Sequence, residues 1–192
     1  MSFGLGRGPQ VVRVGVTVTF LRMSLAPGDM IGVLPDGARV ERVTAPTVGY
    51  YRYLYNTVGA DYVWWLRRTM PDVELGSLLR HPGVSIHVLM LGGEPAGFYE
   101  LDRRHRPDIN LNYFGLMPHM VGTGVGYRFL CHGVAEAWAS LPRGMTVNTC
   151  TADHPRALPS YLRVGFVPFR RSDEVWDVPV SLGLKIPDRL RL

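Results

Sequence analysis

Gly122, Gly124 and Gly126 alternate along the stretch from Val121 to Gly126, between an apolar run at residues 109–117 and an amphipathic stretch that starts at Val125. Glycines spaced in this way let successive backbone N–H groups approach an anion. The free N–H groups and dipole of a following helix favour negative charge at the same place. The chemistry on offer is the binding of a pyrophosphate. A P-loop would need Lys followed by Ser or Thr after its last glycine, where Tyr127 and Arg128 stand, so that reading fails. A dinucleotide site would need G-x-G-x-x-G near the start of a βαβ unit and a carboxylate about twenty residues on. Here the spacing is G-x-G-x-G, and the next strand, residues 145–151, carries Asn148 and no acid. A structural turn that holds no ligand is the plain alternative.

A second segment, residues 146–166, reads as a strand, a short helix carrying Ala157 and Tyr161, and then Gly165-Phe166. Together the two segments resemble the GCN5-related N-acetyltransferase family. Its phosphate turn is written Gln/Arg-x-x-Gly-x-Gly/Ala, and its later motif places Ala four residues before Tyr, with Gly-Phe shortly after. Gly124, Gly126, Ala157, Tyr161, Gly165 and Phe166 fit both patterns, and the resemblance covers residues 85–169. The first eighty residues match in coarse outline. The chain departs from the pattern twice. Val121 replaces the long polar residue that opens the turn, which removes a side-chain contact to pyrophosphate and leaves the backbone donors. His154 stands where Asn is common, bulkier and able to titrate.

The resemblance implies an α/β (α+β), acyl-CoA N-acyltransferase-like three-layer fold. Its sheet would be mixed but largely antiparallel, with six or seven strands, a splayed central pair and about four flanking helices. Acyl-CoA would enter the gap, with no metal. The resemblance also implies an N-acetyltransferase that moves acetyl from acetyl-CoA to a primary amine by direct attack on the thioester. Pantetheine would pair with the backbone of Phe114, Gly115, Leu116 and Met117, and the N–H of Leu116 would polarise the thioester carbonyl, an effect worth about 3 kcal/mol where such donors have been removed. The turn from Val121 through Gly122, Thr123, Gly124, Val125, Gly126 and Tyr127 would hold the phosphates, with His154, Ala157 and Tyr161 along the pantetheine arm. A tyrosine with an ordinary pKa near ~10 stays protonated at neutral pH and can serve a thiolate leaving group. Tyr161 is therefore the expected acid, against a plain reading as a packed ring. Glu100, late in the strand before the cofactor strand, is the expected base, with Asp102, His119 and His154 in reserve. Its competing reading is an ion pair with a nearby arginine. A noncatalytic acyl-CoA-binding module is the alternative function, favoured by Val121 and His154. A nucleotide-dependent oxidoreductase is disfavoured by the glycine spacing.

Composition is that of a globular enzyme. Of the 192 residues 46% are hydrophobic and 19% charged, enough to bury a core and too apolar for wholesale disorder. One domain over residues 1–192 is expected, with the acceptor side at about 11–80, the acyl-CoA core at 85–169 and a C-terminal strand and tail at 166–192. The net charge of +5 is almost all arginine, with Lys185 the one lysine. The arginines are dispersed apart from the run from Arg103 to Arg106, read as a hairpin turn or as a contact for an acidic group. No basic stripe interleaved with aromatics suggests nucleic acid, and no apolar run suggests a membrane. A cytoplasmic enzyme is expected. Cys131 and Cys150 read as packing residues, because a metal site built from them with His132 and His154 lacks the usual ligand spacing. The acceptor amine, small-molecule or peptide, would meet the early aromatic helices, where Tyr50, Tyr51, Tyr53, Tyr55, Trp64 and Trp65 mostly serve the core and one or two line a pocket. A homodimer through the final strand and tail is left open.

These groups need positioning elements. The patterning gives strands at 11–23 and 39–44, helices at 47–58, 63–70 and 71–80, and strands at 85–91, 95–102 and 108–117. A helix at 125–141, a strand at 145–151, a helix at 155–164 and a last strand from Phe166 follow. Gly92-Gly93 joins two of the strands as a hairpin.

Overall fold

Period-two patterning carries a third of the chain into one sheet. A computed structural model describes residues 10–28, 32–104 and 107–192; His105 and Arg106 of the arginine run lie outside them, as does part of the connector after the first strand. The strands are β1 (Val11–Met23), β2 (Arg39–Val43), β3 (Val84–Leu91), β4 (Glu94–Asp102), β5 (Asp108–Leu116), β6 (Gly144–Cys150) and β7 (Val167–Pro179). Their order is β2-β3-β4-β5-β6-β1-β7. All pairs are antiparallel except β5 with β6. Gly92 and Gly93 both have positive φ, 62° and 88°, which a two-residue hairpin with the twist of its strands requires.

The helices are α1 (Val48–Val58), α2 (Leu66–Thr69), α3 (Asp72–Arg80), α4 (Val125–Trp138) and α5 (Ala157–Val164). Thr47 caps α1 by accepting from the N–H of Tyr50. One core joins α1 and α3 to the sheet through Tyr51, Leu54, Tyr55, Leu75, Ile86, Val88 and Phe98. A second lies beneath α4 and α5, around Tyr99, Leu101, Phe129, Leu130, Val134 and Tyr161. A third seats β1 and the C-terminal tail on Val14, Val16, Val18, Val63, Val178, Ile186 and Leu190.

β1 lies between β6 and β7, on the other side of the parallel pair from β2. Its alternating valines at 14, 16 and 18 need apolar cover, and the tail and β7 supply it. The helix expected over residues 63–70 is reduced to the single turn of α2, because Val63 takes φ +58°, a conformation costly for a β-branched residue. Its side chain is wholly buried, which holds it there.

The feature that makes a site is the parting of β5 from β6. They pair only from Asp108 with Gly144 to Leu111 with Val147, although β5 runs on to Leu116 and β6 to Cys150. On its other edge β5 carries a bulge at the same point. Glu100 pairs with Tyr113 and Leu101 with Leu111, so Asn112 is the extra residue. A bulge bends and twists its strand, and here it does so immediately after the last residue paired with β6.

Candidate active site

The splayed ends of β5 and β6 open into a cleft of about 970 Å³. Along one wall run Phe114, Gly115 and Leu116 of β5, then Val121, Gly122, Gly124, Gly126 and Tyr127, with His154, Ala157, Tyr161 and Arg163 facing them from the β6–α5 side. Gly115 is required by packing, since a Cβ there would lie 2.3 Å from Cγ1 of Val58 on α1. The backbone N–H of Met117 donates to the carbonyl of Ala96 on β4 at 2.9 Å. Because strand N–H groups alternate in direction, those of Leu116 and Phe114 point to the opposite edge, the one that β6 has left.

Beyond β5 the chain makes a short 3-10 turn, Pro118–Met120, and enters α4. Gly122 and Gly124 have φ of 91° and 87°, with open space where a Cβ would stand. Gly124 is the N-cap of α4, no side chain caps that end, and no acidic residue occupies its first turn. The leading N–H groups have no intrahelical acceptor by geometry, so this is a positive end facing a cleft. Arg163 stands over the ring of Tyr127 at 3.9 Å, and both line the cleft. That guanidinium puts a cation beside the turn, where Val121, 40% exposed, offers none. Residue order alone hides it, since Arg163 is 36 positions from Tyr127.

Most residues expected around the cofactor do line the cleft, but three do not. Met117 is buried in the α1 core and its N–H is already bonded to Ala96. Thr123 turns its hydroxyl to the carbonyl of Met120 at 2.9 Å. The side chain of Val125 packs into the core beneath α4. Of the reserve bases, His119 is exposed and not part of the lining. His154 lines the cleft and accepts from the N–H of Arg156 through Nδ1 at 3.1 Å.

Tyr161 sits in the cleft wall, 6% exposed, with its ring edge-on to Phe166. Burial, and after it the charge of Asp153, pushes its phenol well above the ordinary value. Glu100 is placed elsewhere. Its carboxylate is 0% exposed and is not part of the cleft lining. It accepts from the Tyr51 hydroxyl at 2.5 Å, from Nη2 of Arg67 at 2.9 Å and from Nδ2 of Asn112 at 2.8 Å. Those bonds hold both oxygens, so the expected base is a sealed ion pair. The reason is the bulge: it turns Asn112 towards Glu100 and brings Arg67 of α2 over Tyr113. Asp102, another reserve, is clasped by Nε and Nη2 of Arg104. Burial alone would raise its pKa, but the Arg104 hydrogen bonds outweigh burial and lower it.

The remaining wall comes from parts of the chain that no motif marks. Tyr55, Tyr62, Trp64, Trp65 and Arg67 approach from the α1–α2 region, and Phe20, Glu174 and Trp176 from β1 and β7. Arg52 fixes this region by donating to the carbonyls of Arg67, Arg68 and Met70 and by pairing with Asp72. Tyr55, Trp64 and Tyr113 form one aromatic cluster with ring centroids 4.9 to 5.2 Å apart. Arg104 of the arginine run is in the lining as well. Among the described residues no group of His, Cys, Asp and Glu is arranged to hold a metal, and no helix is long and apolar enough to cross a membrane.

No family model matches the chain, and no curated protein matches it in sequence. Solved structures do match. A GCN5-related N-acetyltransferase from Kribbella flavida superposes with TM-score 0.56 at 15% identity, over 89% of this chain and 63% of that one. A tandem GNAT protein of the clavulanic acid biosynthesis pathway gives 0.60 at 15%, over 91% and 56%. The chain has the GCN5-related N-acetyltransferase fold. An aminoglycoside acetyltransferase from an uncultured soil metagenomic sample, solved with trehalose, shares it at TM-score 0.54 and 14% identity, over 67% of this chain and 88% of that one. The chain spans between 54% and 63% of the length of several structures with this fold that it matches.

Proposed function

We propose that the chain is an N-acetyltransferase that binds acetyl-CoA in the cleft and passes the acetyl group to a primary amine, small-molecule or peptide. The observation that carries this is a sequence of groups along one cleft: an uncapped helix N-terminus with two left-handed glycines, a free β5 edge, and then a buried tyrosine. Each matches a part of acyl-CoA. The pyrophosphate is met by the N–H groups of the turn and by the charge of Arg163. The pantetheine amides extend the sheet along Phe114 to Leu116, taking the place that β6 vacates. The thioester then lies beside the N–H of Leu116, which stabilises the developing oxyanion.

Tyr161 acts on sulfur. A phenol held above its ordinary pKa stays protonated, and its contribution is a hydrogen bond to the departing thiolate rather than complete proton transfer. A free CoA thiol with a pKa near ~8.5, if like cysteine, leaves readily as a thiolate so assisted.

Calorimetric titration of acetyl-CoA, CoA and NAD, followed by thiol release with added amines, tests this reading. Micromolar binding of acetyl-CoA without binding of NAD is the expected result. Binding of acetyl-CoA with no amine-dependent thiol release would favour the noncatalytic acyl-CoA module, for which the missing polar side chain at Val121 speaks. No binding of any CoA species would leave a fold without this function.

A further inference from the structure

With Glu100 and Asp102 locked against arginines, two carboxylates of the cleft lining stand outside the ion pairs of the described residues: Glu174, which accepts the indole N–H of Trp176 at 2.9 Å, and Asp153. Asp153 follows the end of β6 and lines the cleft together with Tyr161, Trp64 and Tyr62. Its Oδ2 is pinned, accepting from Oγ1 of Thr149 at 2.8 Å and from the N–H of Cys150 at 2.9 Å. Its Oδ1 receives the indole N–H of Trp64 at 3.4 Å, at the long limit for such a bond, so lone pairs remain for a stronger donor. Among the described residues no Lys or Arg forms an ion pair with it. Its charge reaches Tyr161 on one side and Tyr62 on the other, contributing after burial to the rise of both phenols. It also helps burial to lift the Cys150 thiol to about 12. An oriented carboxylate outside any ion pair among the described residues thus shares the cleft with Tyr161 and with the aromatic residues Tyr62, Trp64, Trp65 and Trp176.

We propose that Asp153 receives the acceptor amine and takes its proton, and that the acceptor carries its amine on an aromatic body. The inference rests on the acetyltransferase reading above and names its base and its substrate class. The aromatic wall offers flat apolar area and, towards any ammonium form, cation–π attraction. In the step itself the amine nitrogen attacks the thioester carbon. The N–C bond forms as the C–S bond breaks, and the electron pair leaves on sulfur as CoA thiolate, hydrogen-bonded by Tyr161. The nitrogen becomes strongly acidic as its lone pair enters the new bond, so a carboxylate suffices to take the surplus proton, which then passes to solvent. The products are the N-acetyl amide and CoA.

The test uses the full chain with acetyl-CoA and two probe amines, 2-phenylethylamine and ethanolamine. For the wild type, kcat/KM with 2-phenylethylamine is expected to exceed that with ethanolamine at least tenfold. Asp153→Asn is nearly isosteric: its carbonyl keeps the Thr149 and Cys150 bonds, and its NH2 group then faces the cleft where a base is needed. That variant is expected to bind acetyl-CoA within twofold of wild type and to lose at least 100-fold in kcat. A kcat within threefold of wild type would overturn the role of Asp153. Trp64→Leu is the second variant, decisive if Asp153→Asn does not fold. It is expected to raise KM for 2-phenylethylamine about tenfold more than KM for ethanolamine, and equal effects on both amines would overturn the aromatic selection. A wild type that binds acetyl-CoA but releases no thiol with 2-phenylethylamine overturns this proposal alone. A wild type that does not bind acetyl-CoA overturns the reading beneath it.

Discussion

The two walls of the cleft are made of different material. The wall from Phe114 to Tyr127 is mostly backbone: a strand edge left open by β6, then glycines, then an uncapped helix end. The wall facing it is made of side chains from several elements, Trp64 and Arg67 beside α2, Asp153 after β6, and Trp176 on β7. A backbone wall recognises a group by geometry that few substitutions alter, whereas a side-chain wall can be rebuilt residue by residue. Constancy and variation therefore belong to different walls of such a site. In the proposed reaction the cofactor meets the part that must be fixed, and the acceptor the part that is free to differ.

The division between the two walls is weakest at Arg67. This arginine belongs to the side-chain wall, yet its partner Glu100 lies wholly inside the protein. Arg67→Met leaves that carboxylate buried without a counter-charge, a loss of about 3–5 kcal/mol by analogy with other broken buried pairs. Urea denaturation measures it. A loss below about 1 kcal/mol would mean that the pair is a surface feature and that Glu100 is open to other duties.

The next effect lies on the opposite face of the sheet from that pair and serves as its control. His87 on β3 is 3% exposed, stacks on Tyr99 at 4.7 Å, and leaves Nε2 without a partner among the described residues. Burial first, then the charges of Arg42, Arg103 and His132, lower its pKa from 6.5 to about 4. The unfolded chain therefore takes up a proton below pH 6.5 that the folded chain refuses until about pH 4. Stability should fall across that window as pH drops, by about 3 kcal/mol in all. His87→Leu should remove that slope without touching the cleft. A slope that persists in the variant would assign the effect to other groups.

The fold was legible because its signals are local. Alternating valines announced β1, Gly92-Gly93 announced a hairpin, and the glycine turn announced the start of α4. The misreadings share one physical cause, namely contacts between residues distant in sequence. The helix expected over residues 63–70 shrank to one turn because Val63 is drawn into the core that it shares with Val14, Val16 and Val18 of β1. Glu100 was open to reading as a base or as an arginine's partner because Arg67 is 33 residues away, and the bulge that turns Asn112 towards it is a property of strand pairing. Asp153 and Arg163 went unnoticed because no spacing rule links them to Trp64 or Tyr127. The one local hint of the bulge was a pair of asparagines, Asn110 and Asn112, inside an otherwise apolar strand.

Gly124→Asp probes the backbone wall in a way that sharpens the contrast with Arg67. At φ 87° a side chain is strained by about 1–2 kcal/mol, although Asp is among the residues that tolerate this region best. Its carboxylate can also cap α4, taking the N–H groups that the pyrophosphate would use. Fold stability should therefore change little while acetyl-CoA affinity falls at least 100-fold, through occupied donors and like-charge repulsion. Calorimetry alongside thermal melting separates the two quantities. Equal losses in both would show a turn that serves the fold and not the ligand.

Tyr161→Phe should give the smallest effect and bears on the join between the walls. The phenylalanine ring keeps the packing against Phe166 and the α4 core, so neither folding nor acetyl-CoA affinity should move. What disappears is the one hydroxyl proposed to meet the departing sulfur. Because burial and Asp153 hold that hydroxyl above its ordinary pKa, the loss is that of a hydrogen bond to a charged group, about 1.5–3 kcal/mol, rather than of a full acid catalyst. The expected outcome is a 10- to 100-fold lower kcat with unchanged acetyl-CoA affinity. A thioester with a better leaving group should narrow the gap between variant and wild type, since a more stable thiolate needs the hydroxyl less. If the gap stays constant across leaving groups, the hydroxyl does not act on sulfur, and the thiolate must be stabilised from the backbone wall alone.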